Sequence, residues 1–176
     1  MVSNLNIFST AALNNSDAII ALGYMYYYGY GVNQNYKKSK EYYEMSAKMH
    51  NPVGIFTLGL FYEQGNGVEK DVNKALEYYQ SAAQLNYAIA LNYLGELYEK
   101  GKLVEKNYTK AREYYELSAK QSNSDSLNNL GNIYYYGYDV KQDYTKARQY
   151  YELAAKQNNS DSLNNLGNIY YYGYDV

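Results

Sequence analysis

Glycine recurs at a fixed interval along this chain. Gly23, Gly59, Gly95, Gly131 and Gly167 are each 36 residues apart. Gly29, Gly65, Gly101, Gly137 and Gly173 form a second ladder in step with the first, and Val32, Val68, Val104, Val140 and Val176 form a third. Self-similarity of this length marks a stack of supersecondary units, none of which can bury its apolar face alone. Proteins built this way work through the extended surface that the copies share rather than through a catalytic pocket.

The 176 residues divide into copies at 16–51, 52–87, 88–123 and 124–159, with a half copy at 160–176. Each copy opens on a helical pattern. In the first, Ala18, Ile19, Leu22, Gly23, Met25 and Tyr26 recur at spacings of 3, 4 and 7, which is one face of a helix. A glycine in the middle of a helix costs about 1 kcal/mol relative to alanine. Its return in every copy predicts a steric reason, the close crossing of a second helix. Gly29 and its equivalents stand where a left-handed residue ends the first helix. Asn35, Asp71, Asn107 and Asp143 have the side chains of N-caps and predict the start of a second helix. That helix repeats Lys38, Ser39, Tyr42, Tyr43, Ser46 and Ala47, a stripe of small and aromatic residues suited to close docking. Lys38, Lys74 and Lys110 each precede a glutamate by three residues, the pattern of a modest surface pair. A turn around Asn51, Tyr87, Asn123 and Asn159 leads into the next copy. Each unit therefore reads as helix A, loop, helix B, and periodicity predicts an all-α helical solenoid.

The ends extend the pattern. Ile7, Thr10 and Ala11 stand 36 residues before Tyr43, Ser46 and Ala47, so residues 1–15 read as a worn helix B that caps the first unit. Residues 160–176 repeat 124–140 without a change. The stack is expected to close on a helix A whose outer face carries Leu163, Leu166, Ile169 and Tyr170, to be covered by further chain, by a partner or by a second copy.

Composition excludes several classes of function. Lys and Arg total 16 against 18 Asp and Glu, with no basic run, so the electrostatic footprint of a nucleic-acid binder is missing. Cysteine is absent, which removes disulfides and thiolate metal sites. No apolar stretch approaches the roughly 20 residues of a membrane span, and residues 1–15 lack the pattern of a secretory signal. A cytoplasmic location is the expectation, the cytosol of a host cell included. No catalytic constellation stands out, and no cofactor or metal is expected. His50, the one histidine, falls near the end of a helix B without a nucleophile beside it. The Gly29–Asn33 loop follows a helix and lacks the Gly-Lys-Ser/Thr ending of a phosphate loop. Asn14, Asn107 and Asn158 open Asn-x-Ser/Thr triplets, chance matches in an Asn-rich chain.

Read as a string, the second copy runs Leu58-Gly59, Tyr62, Gly65, Gly67, Val68, Asp71, Lys74-Ala75, Tyr78-Tyr79, Ala82-Ala83. This resembles the Sel1-like repeat, a relative of the tetratricopeptide repeat, and the resemblance covers residues 16–176. Ser39 departs from it in replacing the alanine after the lysine, and Leu103, Asp139 and Asp175 replace the second loop glycine. Tetratricopeptide repeats proper are a weaker match, since they lack this loop. The cysteine-rich subgroup is excluded. The resemblance implies a right-handed α/α superhelical solenoid of TPR-like helix-turn-helix repeats, and the length of the chain makes one domain over residues 1–176 the expectation. It also implies a non-enzymatic scaffold or adaptor that binds a protein or peptide in a concave groove lined by helix A.

The helix-A positions outside the recurrent set are then the candidates for contact. At the N-terminal end they are Tyr24, Tyr27, Tyr28, Phe56, Leu60 and Glu63, an aromatic and aliphatic set. Asn92 and Glu96 follow. The C-terminal end is an asparagine and tyrosine ladder: Asn128, Asn132, Tyr135, Tyr136, Asn164, Asn168 and Tyr171. In repeats resembling these, helix-A asparagines hold the backbone of an extended peptide, which needs a donor and an acceptor together. A carboxylate clamp would need lysines in place of Asn128 and Asn164, so C-terminal carboxylates are disfavoured. Tyrosine adds contact area with little side-chain entropy to lose. Self-association through the C-terminal half copy is the alternative.

Overall fold

The computed structural model describes residues 15–174. The described residues form nine α-helices and no strand. The helices are α1 (Ser16–Tyr28), α2 (Tyr36–Lys48), α3 (Pro52–Gln64), α4 (Val72–Gln84), α5 (Ala88–Lys100), α6 (Tyr108–Ala119), α7 (Ser124–Tyr136), α8 (Tyr144–Ala155) and α9 (Ser160–Tyr172). The odd-numbered helices are the A helices and the even-numbered ones the B helices. The chain divides into two compact units, one ending at Leu85 and the other beginning at Asn86. Within each unit every helix packs on the next in sequence, so the fold is an all-α helical repeat solenoid. Ile7, Thr10 and Ala11, on which the N-terminal half copy rests, lie outside the described residues, as does Asp175.

The caps explain why the helices begin and end where they do. Asn35, Asp71, Asn107 and Asp143 each accept a hydrogen bond from the backbone N–H three residues on, at 2.8–3.0 Å. The expected turns between copies prove to be caps as well: Asn51 accepts from the N–H of Val53, and Asn123 and Asn159 from those of Ser126 and Ser162. Tyr87 holds the equivalent position without a side-chain cap bond. Each A helix ends on a left-handed glycine, with φ between 66° and 78°, a conformation that a Cβ would strain. The second loop position is left-handed too. Gly31 and Gly67 reach it freely, whereas Leu103 and Asp139 adopt it with side chains, at φ 66° and 54°.

The mid-helix glycines have a specific neighbour. The ring of Tyr43 lies over Gly23, that of Tyr79 over Gly59, Tyr115 over Gly95 and Tyr151 over Gly131. A Cβ on Gly95 would come to 2.5 Å from Tyr115 Cε1, closer than real atoms approach. The crossing expected at these glycines is therefore the passage of one tyrosine ring. All four rings are buried. Gly167 has nothing within 4 Å of its Cβ position.

The other tyrosine of each pair turns outward. Tyr42, Tyr78, Tyr114 and Tyr150 stack on Tyr26, Tyr62, Tyr98 and Tyr134, with interplanar angles of 9–12°. Lys38, Lys74, Lys110 and Lys146 set their ammonium groups 4.0–5.2 Å from the centroids of those helix-A rings. The expected role of the repeated lysines as partners of glutamates three residues on is thus replaced by a cation–π contact. The ring is fixed by its stack, whereas a surface carboxylate would have to be ordered first. The ion pairs of the helix-B surface run over four residues instead, as Lys40–Glu44 and Arg112–Glu116 do, each at 2.8 Å.

Candidate functional site

Helix A presents two kinds of surface, one in each unit. In the first unit Tyr24 and Tyr28 lie one turn apart on α1 and stand about half exposed, with ring centroids 4.5 Å apart. Tyr30, just past the helix end, stacks on Tyr28 at 5.5 Å and reaches Tyr24 at 5.8 Å. Tyr27 is turned further inward, edge-on to Tyr36 and Phe61. Its hydroxyl donates to Gln64 Oε1 at 3.2 Å and accepts from Asn66 Nδ2 at 2.7 Å. Tyr24, Tyr27, Tyr28 and Leu60 frame a cavity of about 230 Å³ between α1 and α3, and no charged side chain lines it. Phe56 is buried against Tyr79, and Glu63 is buried with its carboxylate accepting from the Tyr79 hydroxyl at 2.6 Å. The structure therefore brings Tyr24, Tyr27, Tyr28 and Leu60 together as a surface and buries Phe56 and Glu63 against Tyr79 instead.

The second unit is polar and cross-bonded. Asn92 is 8% exposed: its amide nitrogen donates to Glu96 at 2.9 Å, while its oxygen accepts from Ser126 Oγ at 2.8 Å and Asn129 Nδ2 at 3.2 Å. Asn128 is 7% exposed and repeats the arrangement, accepting from Ser162 Oγ at 2.9 Å and Asn165 Nδ2 at 3.0 Å. Asn132 accepts from the Tyr151 hydroxyl at 2.8 Å and from Asn165 at 3.3 Å. The oxygens of these three asparagines therefore join one A helix to its neighbours. Glu96 is half-buried and pairs with Lys100 at 2.8 Å. Tyr135 is half-buried, edge-on to Tyr136, Tyr144 and Tyr174. Tyr136, Asn164, Asn168 and Tyr171 are exposed, Tyr171 most of all at 82%.

Burial raises the pKa of the phenols behind these faces. Tyr43 is pushed up to about 12, first by desolvation and then by the nearby phenols of Tyr28, Tyr24 and Tyr27. Tyr115 is pushed well above the usual phenol range by burial and by its bond to the Glu99 carboxylate, and Tyr151 by burial and the rings of Tyr136 and Tyr135. All three are neutral across the physiological range, and Tyr115 and Tyr151 donate their hydroxyl protons to Glu99 and Asn132. Among the described residues no group of His, Asp and Glu is arranged to hold a metal ion. No described helix is long and apolar enough to cross a membrane.

Sequence reasoning missed Tyr30 and Tyr43. Tyr30 varies between copies, as Asn66, Lys102, Tyr138 and Tyr174 at its equivalents show, and that variation was a usable signal. Tyr43 belongs to the invariant set, so only the structure reveals that its surroundings differ from those of its copies.

Comparison with known proteins follows the same register. The family model of the Sel1 repeat matches residues 16–51, 52–87, 88–123, 124–159 and 160–176. The chain is similar to a Sel1 repeat protein from Oxalobacter formigenes, with a TM-score of 0.88 and 33% identity, over 94% of this chain and 68% of that one. It is similar to a protective antigen of uropathogenic Escherichia coli strains that displays an SLR fold, with a TM-score of 0.89 and 29% identity. That match takes in 98% of this chain but only 37% of the antigen. Cysteine-rich protein B of Helicobacter pylori aligns over 74% of this chain and 94% of its own, with a TM-score of 0.58 and 26% identity. No curated protein sequence matches. With five matched copies in the register of its glycines, tyrosine pairs and caps, the chain belongs to the Sel1 repeat family.

Proposed function

We propose that this protein is a binding scaffold whose A helices hold a segment of another protein. Proteins of the Sel1 repeat fold are in general non-enzymatic interaction scaffolds. The observation that carries the reading to this chain is the exposed tyrosine cluster of Tyr24, Tyr28 and Tyr30, packed ring on ring, with Tyr24 and Tyr28 lining an uncharged cavity. Contiguous exposed aromatic surface marks a place of interaction, and tyrosines of this kind are the usual anchors of binding energy. Tyr136 and Tyr171 extend the same chemistry in the second unit. The asparagines contribute differently. Asn92, Asn128 and Asn132 fix the spacing of their helices, and Asn164 and Asn168 keep their amides exposed for a backbone. Protein capture on the immobilised chain, compared with Tyr24→Ala/Tyr28→Ala, tests this. Loss of the captured protein at an unchanged melting temperature is expected; retention of it refutes the assignment of the face.

A specific observation supports a second reading, association with a second copy. Leu163 on α9 is 54% exposed, whereas Leu127, at the same place in the identical helix α7, is 6% exposed. Tyr170 is likewise exposed where Tyr134 is buried. Ile169, expected with this outer set, is instead buried in the core with Tyr151 and Ala147, because it lies on the side of α9 that faces α8.

A further inference from the structure

Four helix-B tyrosines occupy one place in the repeat, and three of them find the same kind of partner. Tyr79 donates its hydroxyl to Glu63 Oε2 and Tyr115 to Glu99 Oε2, both at 2.6 Å, while Tyr151 donates to Asn132 Oδ1 at 2.8 Å. The acceptor is always a planar oxygen on helix A, four residues after the glycine or one residue after it. In the first copy those two positions are Tyr27 and Tyr24, which offer rings instead. The Tyr27 hydroxyl is already engaged with Gln64 and Asn66. Tyr43 is 4% exposed, and its hydroxyl has no hydrogen-bond partner among the described residues. The hydroxyl is not sealed from solvent, so an incoming acceptor exchanges its bond to water for a direct one.

Tyr43 also forms part of the wall of the cavity between α1 and α3, with Tyr24, Tyr27, Tyr28, Leu60 and Gln64 around it. The cavity, at about 230 Å³, is small for a drug-like ligand and large enough for one side chain. Its lining carries no cation, so a carboxylate entering it would lose water without gaining an opposite charge. An amide oxygen meets the same donor at lower desolvation cost. An amide nitrogen can in turn donate to phenol oxygens on the rim.

We propose that this cavity is a specificity pocket for a glutamine side chain of the bound protein segment. Its two methylenes lie against the tyrosine rings and Leu60, and its amide oxygen accepts from the Tyr43 hydroxyl. The ligand thus supplies in trans the acceptor that Glu63, Glu99 and Asn132 supply within the other copies. The proposal rests on the reading of helix A as the binding face and names the chemistry recognised there.

The test is an NMR titration of the whole chain, followed at the tyrosine ring resonances. The probes are the N-acetyl, N-methylamide derivatives of glutamine, glutamate and norleucine. Glutamine is expected to shift the rings of Tyr24, Tyr28 and Tyr43 and to bind about fivefold more tightly than norleucine, the size of one net hydrogen bond. Glutamate is expected to bind more weakly than glutamine. Tyr43→Phe removes only an unpaired hydroxyl and leaves the ring on Gly23, so it should fold normally and lose the preference. Tyr24→Asn should also lose it, because an asparagine there can bond Tyr43 as Asn132 bonds Tyr151. A preference that survives Tyr43→Phe, equal binding of all three probes, or tighter binding of glutamate overturns the glutamine pocket. None of those outcomes touches the wider reading of the face, which the capture experiment decides separately.

Discussion

At the scale of single residues, the glycine ladder does two jobs that depend on what surrounds it. The second ladder supplies a left-handed residue at the end of each A helix. The first leaves room for a ring, and its value can be isolated because α7 and α9 have the same sequence. At Gly131 a Cβ would run into the Tyr151 ring, whereas at Gly167 it would meet nothing within 4 Å. Gly131→Ala is therefore expected to destabilise by about 1–3 kcal/mol through overpacking. Gly167→Ala is expected to stabilise by about 0.5–1 kcal/mol, the ordinary helix gain of alanine over glycine. Thermal melting of the two variants checks the opposite signs. The spacing of the glycines was legible in the sequence, and so was the need for a close approach. That the approaching group is a tyrosine ring was not legible, because Tyr42 and Tyr43 are the same residue type one position apart. Only the geometry sorts them into a ring against a glycine and a ring in an outward stack.

At the scale of elements, the asparagine ladder shows why a polar stripe on one helix is not all contact surface in a stacked fold. From the sequence, Asn92 and Asn128 share a helix face with Tyr136 and read as surface. Their partners lie 34 and 37 residues further on, in the next A helix. A one-helix pattern cannot contain that information. Asn128 binds α7 to α9 through Ser162, which is fully buried. Asn128→Ala should therefore cost about 1–3 kcal/mol, the penalty of leaving a buried hydroxyl without its acceptor. Asn164→Ala, at the same place in α9 but exposed, should change stability by less than about 0.5 kcal/mol. Urea unfolding of the pair measures the difference, and equal losses would show that the inter-helix bond contributes nothing. The repeated lysines were misread for a related reason. A glutamate three residues away is visible in the sequence, whereas the ring that Lys74 covers belongs to Tyr62 on the preceding helix.

At the scale of the whole molecule, the repeat register was the most legible feature, because 36-residue identity fixes helix order, cap positions and neighbour packing together. Binding chemistry was less legible, since it depends on which variable side chains remain exposed after stacking. The strongest remaining contrast is again between α7 and α9. Leu127 is buried, and Leu163 carries the same side chain with more than half its surface in water. Covering a leucine of this kind contributes about 1.5–3 kcal/mol, and Tyr170 beside it adds further apolar area. If a second copy covers this face, the weight-average mass in sedimentation equilibrium should rise with concentration. Leu163→Glu should abolish that rise while leaving helical content and melting temperature unchanged. Leu127→Glu should instead unfold the chain, because it places a carboxylate in the core without a partner. A mass that stays constant with concentration for the unaltered chain refutes self-association through α9. A rise that survives Leu163→Glu moves the contact to another surface, and the exposed tyrosines of the A helices would then be the first place to look.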